Sequence, residues 1–221
     1  MTDSDIQSIK DVAVQFETVL GSSDEQVAHT FLETHPELFG FLRDWGMIKS
    51  KFRLADAFIP DFVSFGSGPS ANDIRPYISF IEIECPTMQL FTKAGDPASG
   101  LTHAVRQVQN WKHWVTNNRM YFQQILANIL AEEMSKVRKN WLIDQRLRGL
   151  QGEYGLPGGF KDRYIVIAGR RNTMTVPDRI LLAQMNDDLH GIQIITYDVL
   201  LDWLLSMIAG TDKNYPYINA I

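Results

Sequence analysis

Two extended apolar runs separated by a glycine-rich loop constrain the fold more than any other feature of the sequence. The runs cover residues 58–65 and 77–84, and the letters GSGPSAND between them have the glycine, proline, asparagine and aspartate content of a loop. Runs of this length and composition predict β-strands, and their short connection predicts that the two strands are neighbours. The chain therefore contains a sheet, which its remaining segments must cover.

Acidic residues interrupt these two strands. Glu82 and Glu84 lie near the end of the second run, and Asp61 lies near the start of the first. Side chains two residues apart in a strand point to the same face, with Cα atoms roughly 6.6 Å apart, so the two glutamates can converge on one cation. An antiparallel pairing of the runs would bring Asp61 to them. Three carboxylates so placed predict a site for Mg²⁺ or Mn²⁺ rather than zinc, whereas each acid taken alone also fits an exposed edge or a loop.

Helical patterns precede the strand pair. Apolar residues recur at helical spacing within residues 4–20. Residues 22–25 and 34–37 each offer a hydroxyl group followed three residues later by a glutamate, which is the pattern of a capping box. The N-terminal quarter of the chain is therefore predicted to be helical, with Ser22 and Thr34 as caps.

Helices and strands alternate after the strand pair. Residues 101–115 present one apolar helical stripe, and helical composition continues from 120 to 147, up to the loop letters GEYGLPGG. Short apolar strands are predicted at 164–168 and 192–195, and Thr196 is predicted to cap an amphipathic closing helix. This alternation predicts an α/β fold, in which helices cover a sheet.

Length and composition indicate a single domain, because 221 residues with 45% hydrophobic content can bury a substantial core. We expect a helical N-terminal part at 1–45, a core at 46–119 and 160–210, and a helical insertion with its loop at 120–159. The longest apolar stretches fall short of the roughly 20 residues that a bilayer span needs, so no membrane helix is expected. The polar N-terminus lacks a secretory pattern, which predicts a cytoplasmic protein. Cys85 is the only cysteine, so an internal disulfide framework is excluded.

Charge is distributed unevenly along the chain. The net charge of −5 argues against a protein coated with basic residues for non-specific nucleic-acid binding. Residues 1–45 contain two basic and nine acidic residues, whereas residues 136–171 contain nine basic and three acidic residues. The basic segment permits a local surface that faces phosphates, and a solvated helix and loop with scattered charge explains it equally well.

The order of these motifs resembles the signature of the PD-(D/E)XK nucleases, in which Pro60-Asp61 is followed about twenty residues later by Glu82-Ile83-Glu84. More narrowly, the chain resembles the Shedu family of bacterial anti-phage nucleases over roughly residues 23–207. The strings that carry this resemblance are PDFVSF, FIEIECPTMQLFTKAG, GLTHAVRQVQNWKHW, YIVIAGRRN and IQIITYDVLLDWL. The resemblance implies a restriction-endonuclease-like mixed sheet flanked by helices, with a helical insertion. It also implies a metal-dependent DNA endonuclease in anti-phage defence.

Residue roles follow from the resemblance. It implies that Asp61, Glu82 and Glu84 hold Mg²⁺, with Mn²⁺ as a possible substitute, and that Glu84 can also act as base toward the attacking water. Gln107 precedes the aromatic Trp111 by four residues, as in the superfamily, and would position water or phosphate. Glu25 also matches a helix-borne acid of the superfamily, and its place in a capping box explains it equally well.

Two further residues are candidates for nucleic-acid binding. Arg170 follows a predicted strand and a glycine, and its guanidinium could reach a phosphate bidentately. His103 lies one helical turn before Gln107 and could bind a carboxylate or a phosphate. An ordinary surface arginine and a half-buried helical histidine are alternatives that the sequence leaves open.

One position departs from the superfamily pattern, because Glu84 stands where a lysine is usual. That lysine offsets charge in the transition state, and a glutamate can only bind the metal or accept a proton. Lys93 and Lys112 are possible substitutes. A non-cleaving nucleic-acid-binding or sensing module is therefore the alternative function, and an interaction protein with merely exposed acids is a third. For a nuclease we expect a homo-oligomer, built through residues 120–148, because one metal cluster per chain cuts one strand.

Overall fold

The structure is a computed structural model that describes residues 3–42, 47–56, 58–66, 77–125, 128 and 160–209. In chain order its elements are α1 (Asp3–Val19), α2 (Glu25–Thr34), a 3₁₀ helix (Pro36–Leu42), β1 (Met47–Ser50), β2 (Phe62–Gly66), β3 (Tyr77–Ile83), α3 (Ser99–Asn117), β4 (Lys161–Ile167), a 3₁₀ turn (Arg171–Thr173), α4 (Val176–Asp188), β5 (Ile192–Ile195) and α5 (Asp198–Ile208). Residues 119–125 are also helical. Most of the helical insertion expected at 120–159, and with it the expected oligomer contact at 120–148, lies outside the described residues.

The five strands form one mixed sheet in the order β1-β2-β3-β4-β5, and helices flank it. β1 pairs antiparallel with β2, and β2 pairs antiparallel with β3. The prediction that the two apolar runs are neighbouring strands is therefore confirmed, and so is the α/β class. In the β2–β3 register Phe62, the first residue of β2, lies opposite Ile81. Asp61 directly precedes Phe62 in the chain.

The described residues fall into two compact units. The first unit comprises those within Met1–Phe41, Glu82–Arg106 and Ile165–Ile221, and the second comprises those within Leu42–Ile81 and Gln107–Tyr164. The expectation of a single domain with the bounds given above stays a prediction. Among the residues that the structure describes, no helix combines the length and the apolar character that crossing a membrane requires.

Aromatic side chains build the core of the first unit. The Phe16 ring of α1 stacks on Phe31 of α2 with ring centroids 5.5 Å apart, and it lies 6.4 Å from the ring of Tyr197. The indole nitrogen of Trp203 donates to the carbonyl oxygen of Glu37 at 3.1 Å. A Cβ at Gly40 would collide with that indole, so only glycine allows the 3₁₀ helix to pack this closely on α5.

A second aromatic cluster fills the core of the second unit. Phe80 of β3 stacks on Tyr164 with centroids 5.2 Å apart and lies 5.4 Å from the ring of Phe122. Phe122 meets Phe160 edge to face at 5.4 Å. Burial, together with the nearby carboxylate of Asp162, raises the pKa of the Tyr164 hydroxyl, which donates to that carboxylate at 2.9 Å. This cluster packs on the strands that lead to the acidic residues.

Helix starts differ from prediction at three places. α2 begins at Glu25 with Asp24 as its cap, because the Asp24 carboxylate accepts from the backbone N–H of Gln26 at 2.9 Å. Ser22 instead accepts from the N–H of Asp24, so its predicted role as cap is wrong. The hydroxyl of Thr34 donates to the carbonyl oxygen of Thr30 within α2, and Thr34 ends that helix.

Thr196 does not cap the closing helix either. α5 begins at Asp198, with Tyr197 at the cap position and without a side-chain cap bond. Thr196 is buried, and its carbonyl oxygen accepts from the N–H of Val199. The predicted cap therefore lies one residue before the observed cap position, and the prediction is wrong. The N–H of Tyr197 donates to the carbonyl oxygen of Gly169, which anchors the entry to α5 on the segment after β4.

Candidate carboxylate site

Asp61 lies directly before β2 and is only 4% exposed. In the β1–β2 register Ser50 lies opposite Phe62, so the next residues outward, Lys51 and Asp61, also face each other. The N–H of Lys51 donates to the carbonyl oxygen of Asp61 at 2.8 Å, and the Lys51 ammonium forms an ion pair with the Asp61 carboxylate. Lys51 therefore binds both the backbone and the side chain of Asp61.

Glu82 is the second buried carboxylate, at 7% exposure, and lies in β3. It directly follows Ile81, whereas Asp61 directly precedes Phe62, and Phe62 and Ile81 are partners in the β2–β3 register. Carboxylates are almost never this deeply buried unless a positive charge or hydrogen bonds compensate them. Both acids are buried, so neither is a solvent-facing edge residue.

Glu84 lies one residue beyond β3 and is half-buried. Its N–H donates to the carbonyl oxygen of Ile167 at 2.9 Å, and its carbonyl oxygen accepts from the Tyr197 hydroxyl at 2.8 Å. Its carboxylate oxygen Oε2 lies 3.9 Å from the point that a Cβ on Gly100 would occupy, in the first turn of α3. A helix N-terminus favours negative charge, and the first turn of α3 contains no acid of its own. A glutamate suits this position better than a lysine would.

Gln107 lies in α3 at the wall of a cavity of about 270 Å³. The cavity is also lined by Phe58, Ile59, Asn110 and the buried Trp111. Phe58 and Ile59 lead directly into Pro60 and Asp61 along the chain. The expectation that Gln107 leans out of the helix beside Trp111 fits this location, and its role toward water or phosphate stays a prediction.

Arg170 is bound by carboxylates of its own unit. Its Nε and Nη2 atoms both donate to Asp198 Oδ1 at 3.0 Å, and Nη2 lies 3.6 Å from Glu17 Oε2. The Arg170 side chain is only 12% exposed. A phosphate would have to compete with two carboxylates for this guanidinium. His103, by contrast, is exposed on α3, and the phosphate contacts of both residues stay predictions.

The lysine that contacts Asp61 is a residue that sequence reasoning missed. Lys93, one of the two expected substitutes, lies exposed at a cavity of about 550 Å³ formed by residues 89–95 and the start of α4. Lys112, the other, is half-buried on α3. Lys51 could have been found only from the β1–β2 register, and the four residues of β1 are too few to predict that register from their pattern.

Asp61 in one unit and Glu82 in the other each carry a donor of the type that a hard divalent cation takes. Two buried carboxylates offer oxygen ligands of the kind that Mg²⁺ and Mn²⁺ prefer. Within the described part of the chain, no group of three or more histidine, cysteine, aspartate or glutamate side chains is placed to hold a metal ion. Mg²⁺ is commonly bound by only one or two carboxylates, together with water and substrate phosphate.

Comparison with known proteins places the chain in a family. Residues 22–201 match the family model described as Shedu protein SduA, C-terminal. No curated protein matches the chain. The family match covers most of the sequence and includes the acidic residues, Gln107 and Arg170. The chain belongs to the Shedu family.

Proposed function

We propose that this chain is a metal-dependent DNA endonuclease of the PD-(D/E)XK type, which hydrolyses phosphodiester bonds in anti-phage defence. Membership of the Shedu family implies the role in anti-phage defence. The observation that supports the nuclease chemistry is the burial of Asp61 and Glu82 beside one register pair, Phe62 and Ile81. In the proposed site the two carboxylates bind one cation, as their spacing along the two strands predicts.

Metal binding gives a physical reason for burying two acids. An ionised carboxylate loses several kcal/mol of hydration on burial, and a second carboxylate nearby adds repulsion. A divalent cation would offset these costs in addition to the ion pair that Lys51 makes with Asp61, and Asp61 and Glu82 would be its protein ligands. When bound, Mg²⁺ would polarise the scissile phosphate and activate water. The remaining ligand positions would be left to water and to the DNA backbone.

Other residues of the chain have separate roles in this proposal. Glu84 would accept the proton of the attacking water on its carboxylate, or bind the cation as a third ligand. Gln107 would orient the water or a phosphate oxygen from the wall of its cavity. The reaction adds one water molecule across a P–O bond of the backbone, so the departing oxygen leaves as a hydroxyl group. Correct placement of the water and the phosphate contributes to the rate because the reacting groups are held together.

Plasmid cleavage tests the proposal. The purified chain is incubated with supercoiled plasmid and Mg²⁺ or Mn²⁺, and the rate of nicking is compared with that of Glu82→Gln and Asp61→Asn. Losing even an outer-shell partner of a metal site costs about 10- to 100-fold, so each ligand variant should lose about 100-fold or more. Asp56→Asn is the matched control, since Asp56 is fully exposed in an ion pair with Arg53, five residues before Asp61. Equal nicking by wild type and Glu82→Gln would remove the proposed site.

Glu84 supports a second candidate, a nuclease fold that binds or senses nucleic acid without cutting it. Its carboxylate lies near the first turn of α3, which gives the missing lysine a structural explanation. Such a module would bind DNA with an affinity that falls steeply with salt, because each phosphate contact releases counterions. Salt-dependent binding together with intact plasmid in both Mg²⁺ and Mn²⁺ would favour this candidate over the nuclease.

A further inference from the structure

Lys51 is joined to Asp61 at two points. Its backbone N–H donates to the Asp61 carbonyl oxygen at 2.8 Å, and its ammonium group forms an ion pair with Asp61 Oδ1. The side chain of Lys51 is 52% exposed, whereas that of Asp61 is 6% exposed. A solvent-exposed lysine thus extends inward to a buried carboxylate, and its position is set by the same ladder that places Asp61.

The backbone of Lys51 is strained. Its φ angle is +45°, in the left-handed region that glycine and asparagine adopt more easily than lysine does. Such conformations persist where the surrounding structure enforces them, and they cluster at functional sites. A glycine would adopt this φ without strain, so the lysine is expected to contribute an interaction that offsets its conformational cost. The ion pair with Asp61 is such an interaction, and a glycine could not form it.

The three candidate site residues in or next to β2 and β3 carry only negative charge, which is a second reason to look for a nearby lysine. Asp61, Glu82 and Glu84 are all acidic, and the position where the superfamily carries a lysine is itself one of these acids. Near a phosphate that gains negative charge in the transition state, a fixed positive charge is the most valuable electrostatic contribution. Lys51 brings such a charge to Asp61 by a different route, from the end of β1 rather than from β3.

We infer that Lys51 is the positioning residue that supplies this positive charge: it holds the Asp61 carboxylate in orientation and offsets the negative charge of the site. This inference rests on the proposed nuclease function. A carboxylate has two oxygens and about four lone-pair positions, so Asp61 can hold Lys51 and a divalent cation at the same time. Lys51 acts through Asp61. Its positive charge weakens binding of the divalent cation, and the same charge supports turnover.

Two measurements with opposite expected signs test the inference. Lys51→Met removes the charge and keeps the length of the side chain. Titration of Mn²⁺ followed by electron paramagnetic resonance, without DNA, should show binding about three- to tenfold tighter than in wild type, because a nearby like charge has been removed. Plasmid nicking should be about 10- to 100-fold slower, through kcat rather than through the KM for DNA. Tighter metal binding combined with slower cutting is not expected of a residue that merely supports folding.

Three variants complete the experiment. Lys51→Arg keeps the charge and should retain wild-type Mn²⁺ affinity and part of the turnover. Lys51→Gly removes the same charge as Lys51→Met but relieves the positive φ, which offsets part of the stability lost with the ion pair, and it should still cut slowly. Lys49→Met removes the same charge two residues earlier on β1, opposite Val63, and as the matched control should change both readouts less than Lys51→Met does.

The outcomes separate this inference from the proposed function. If wild type nicks plasmid and Lys51→Met nicks it equally fast, the inference is overturned while the nuclease proposal stands. If wild type cuts nothing, the nuclease proposal fails, and the Mn²⁺ titration still decides whether Lys51 sets the charge at Asp61. Unchanged or weaker Mn²⁺ binding in both Lys51→Met and Lys51→Gly would overturn the inference in either case.

Discussion

Glu84 shows how a single residue can satisfy a structural requirement and alter the chemistry at the same position. Its backbone continues the hydrogen bonding of β3 by bonding to Ile167, and its carboxylate lies at the first turn of α3. Negative charge at a helix N-terminus is worth about 0.3 to 1 kcal/mol. A lysine at this position would carry the unfavourable charge, so the missing lysine has a physical reason independent of catalysis.

We expect Glu84→Lys to lower stability. The substitution replaces a favourable charge at the start of α3 by an unfavourable one, a loss of about 1 kcal/mol. For a chain of this size that corresponds to a fall of about 2 to 4 °C in Tm, measured by differential scanning calorimetry. Glu84→Gln, which removes the charge without reversing it, should fall about half as far. A Tm for Glu84→Lys at or above that of wild type would contradict the dipole explanation.

At the scale of elements, α4 is stabilised at its start by a capping box. Thr175 and Asp178 form a reciprocal capping box: the Thr175 hydroxyl accepts from the N–H of Asp178, and the Asp178 carboxylate accepts from the N–H of Thr175. Two hydrogen bonds lower the pKa of the Asp178 carboxyl: the bond from the Thr175 hydroxyl has the larger effect, and the bond from the Thr175 N–H has the smaller one. None of the residues in α4 is buried, so the helix gains little from apolar burial and the cap adds to its stability.

Removing this cap should cost about 1 kcal/mol in Thr175→Ala, seen as a lower midpoint in urea denaturation at neutral pH. Because the folded-state pKa of Asp178 lies below its ordinary value, its contribution is present at neutral pH and disappears as pH falls through the lowered pKa. The difference between wild type and Thr175→Ala should therefore shrink in acid. Thr116→Ala in α3, whose hydroxyl donates within its own helix, is the control and should lose no stability.

The capping box also shows why α4 was predicted only from the order of elements and not from its own residues. Sequence reasoning looked for a glutamate three residues after a hydroxyl cap, and α4 uses the shorter Asp178. The strands were easier, because β2, β3 and β5 are rich in apolar strand-forming residues, most of which are buried. β1 has only four half-buried residues, so nothing in its local pattern predicted that it pairs with β2.

At the scale of the whole molecule, the sequence predicted residues but could not predict their ion-pair partners. Asp61 and Glu82 were selected from their spacing along two strands, and both are buried, while their role stays a prediction. Lys51 and Asp61 are ten residues apart, and Arg170 and Asp198 are 28 apart. Pairs this distant depend on which strands and helices meet, which is a property of the fold and not of any local pattern.

The charge distribution of the molecule leads to a prediction for Arg170. Its guanidinium is bound by Asp198 and lies near Glu17, so removing it leaves partly buried carboxylates without their cation. Arg170→Met should therefore destabilise the chain by about 1 to 3 kcal/mol, between the values for exposed and fully buried ion pairs. A residue that binds one phosphate would instead reduce the slope of log Kobs against log salt for DNA binding by about one.

Arg170 can thus be assigned by measuring both quantities on one variant. From its two carboxylate partners we expect a lower denaturation midpoint and an unchanged salt slope in fluorescence anisotropy with a short duplex. Arg179→Met is the matched control, because Arg179 follows on α4 in the same unit and donates to the carbonyl oxygen of Arg171. A reduced slope with an unchanged midpoint would assign Arg170 to the DNA backbone. The Arg170 guanidinium would then have to leave the carboxylates of Asp198 and Glu17 in order to bind a phosphate.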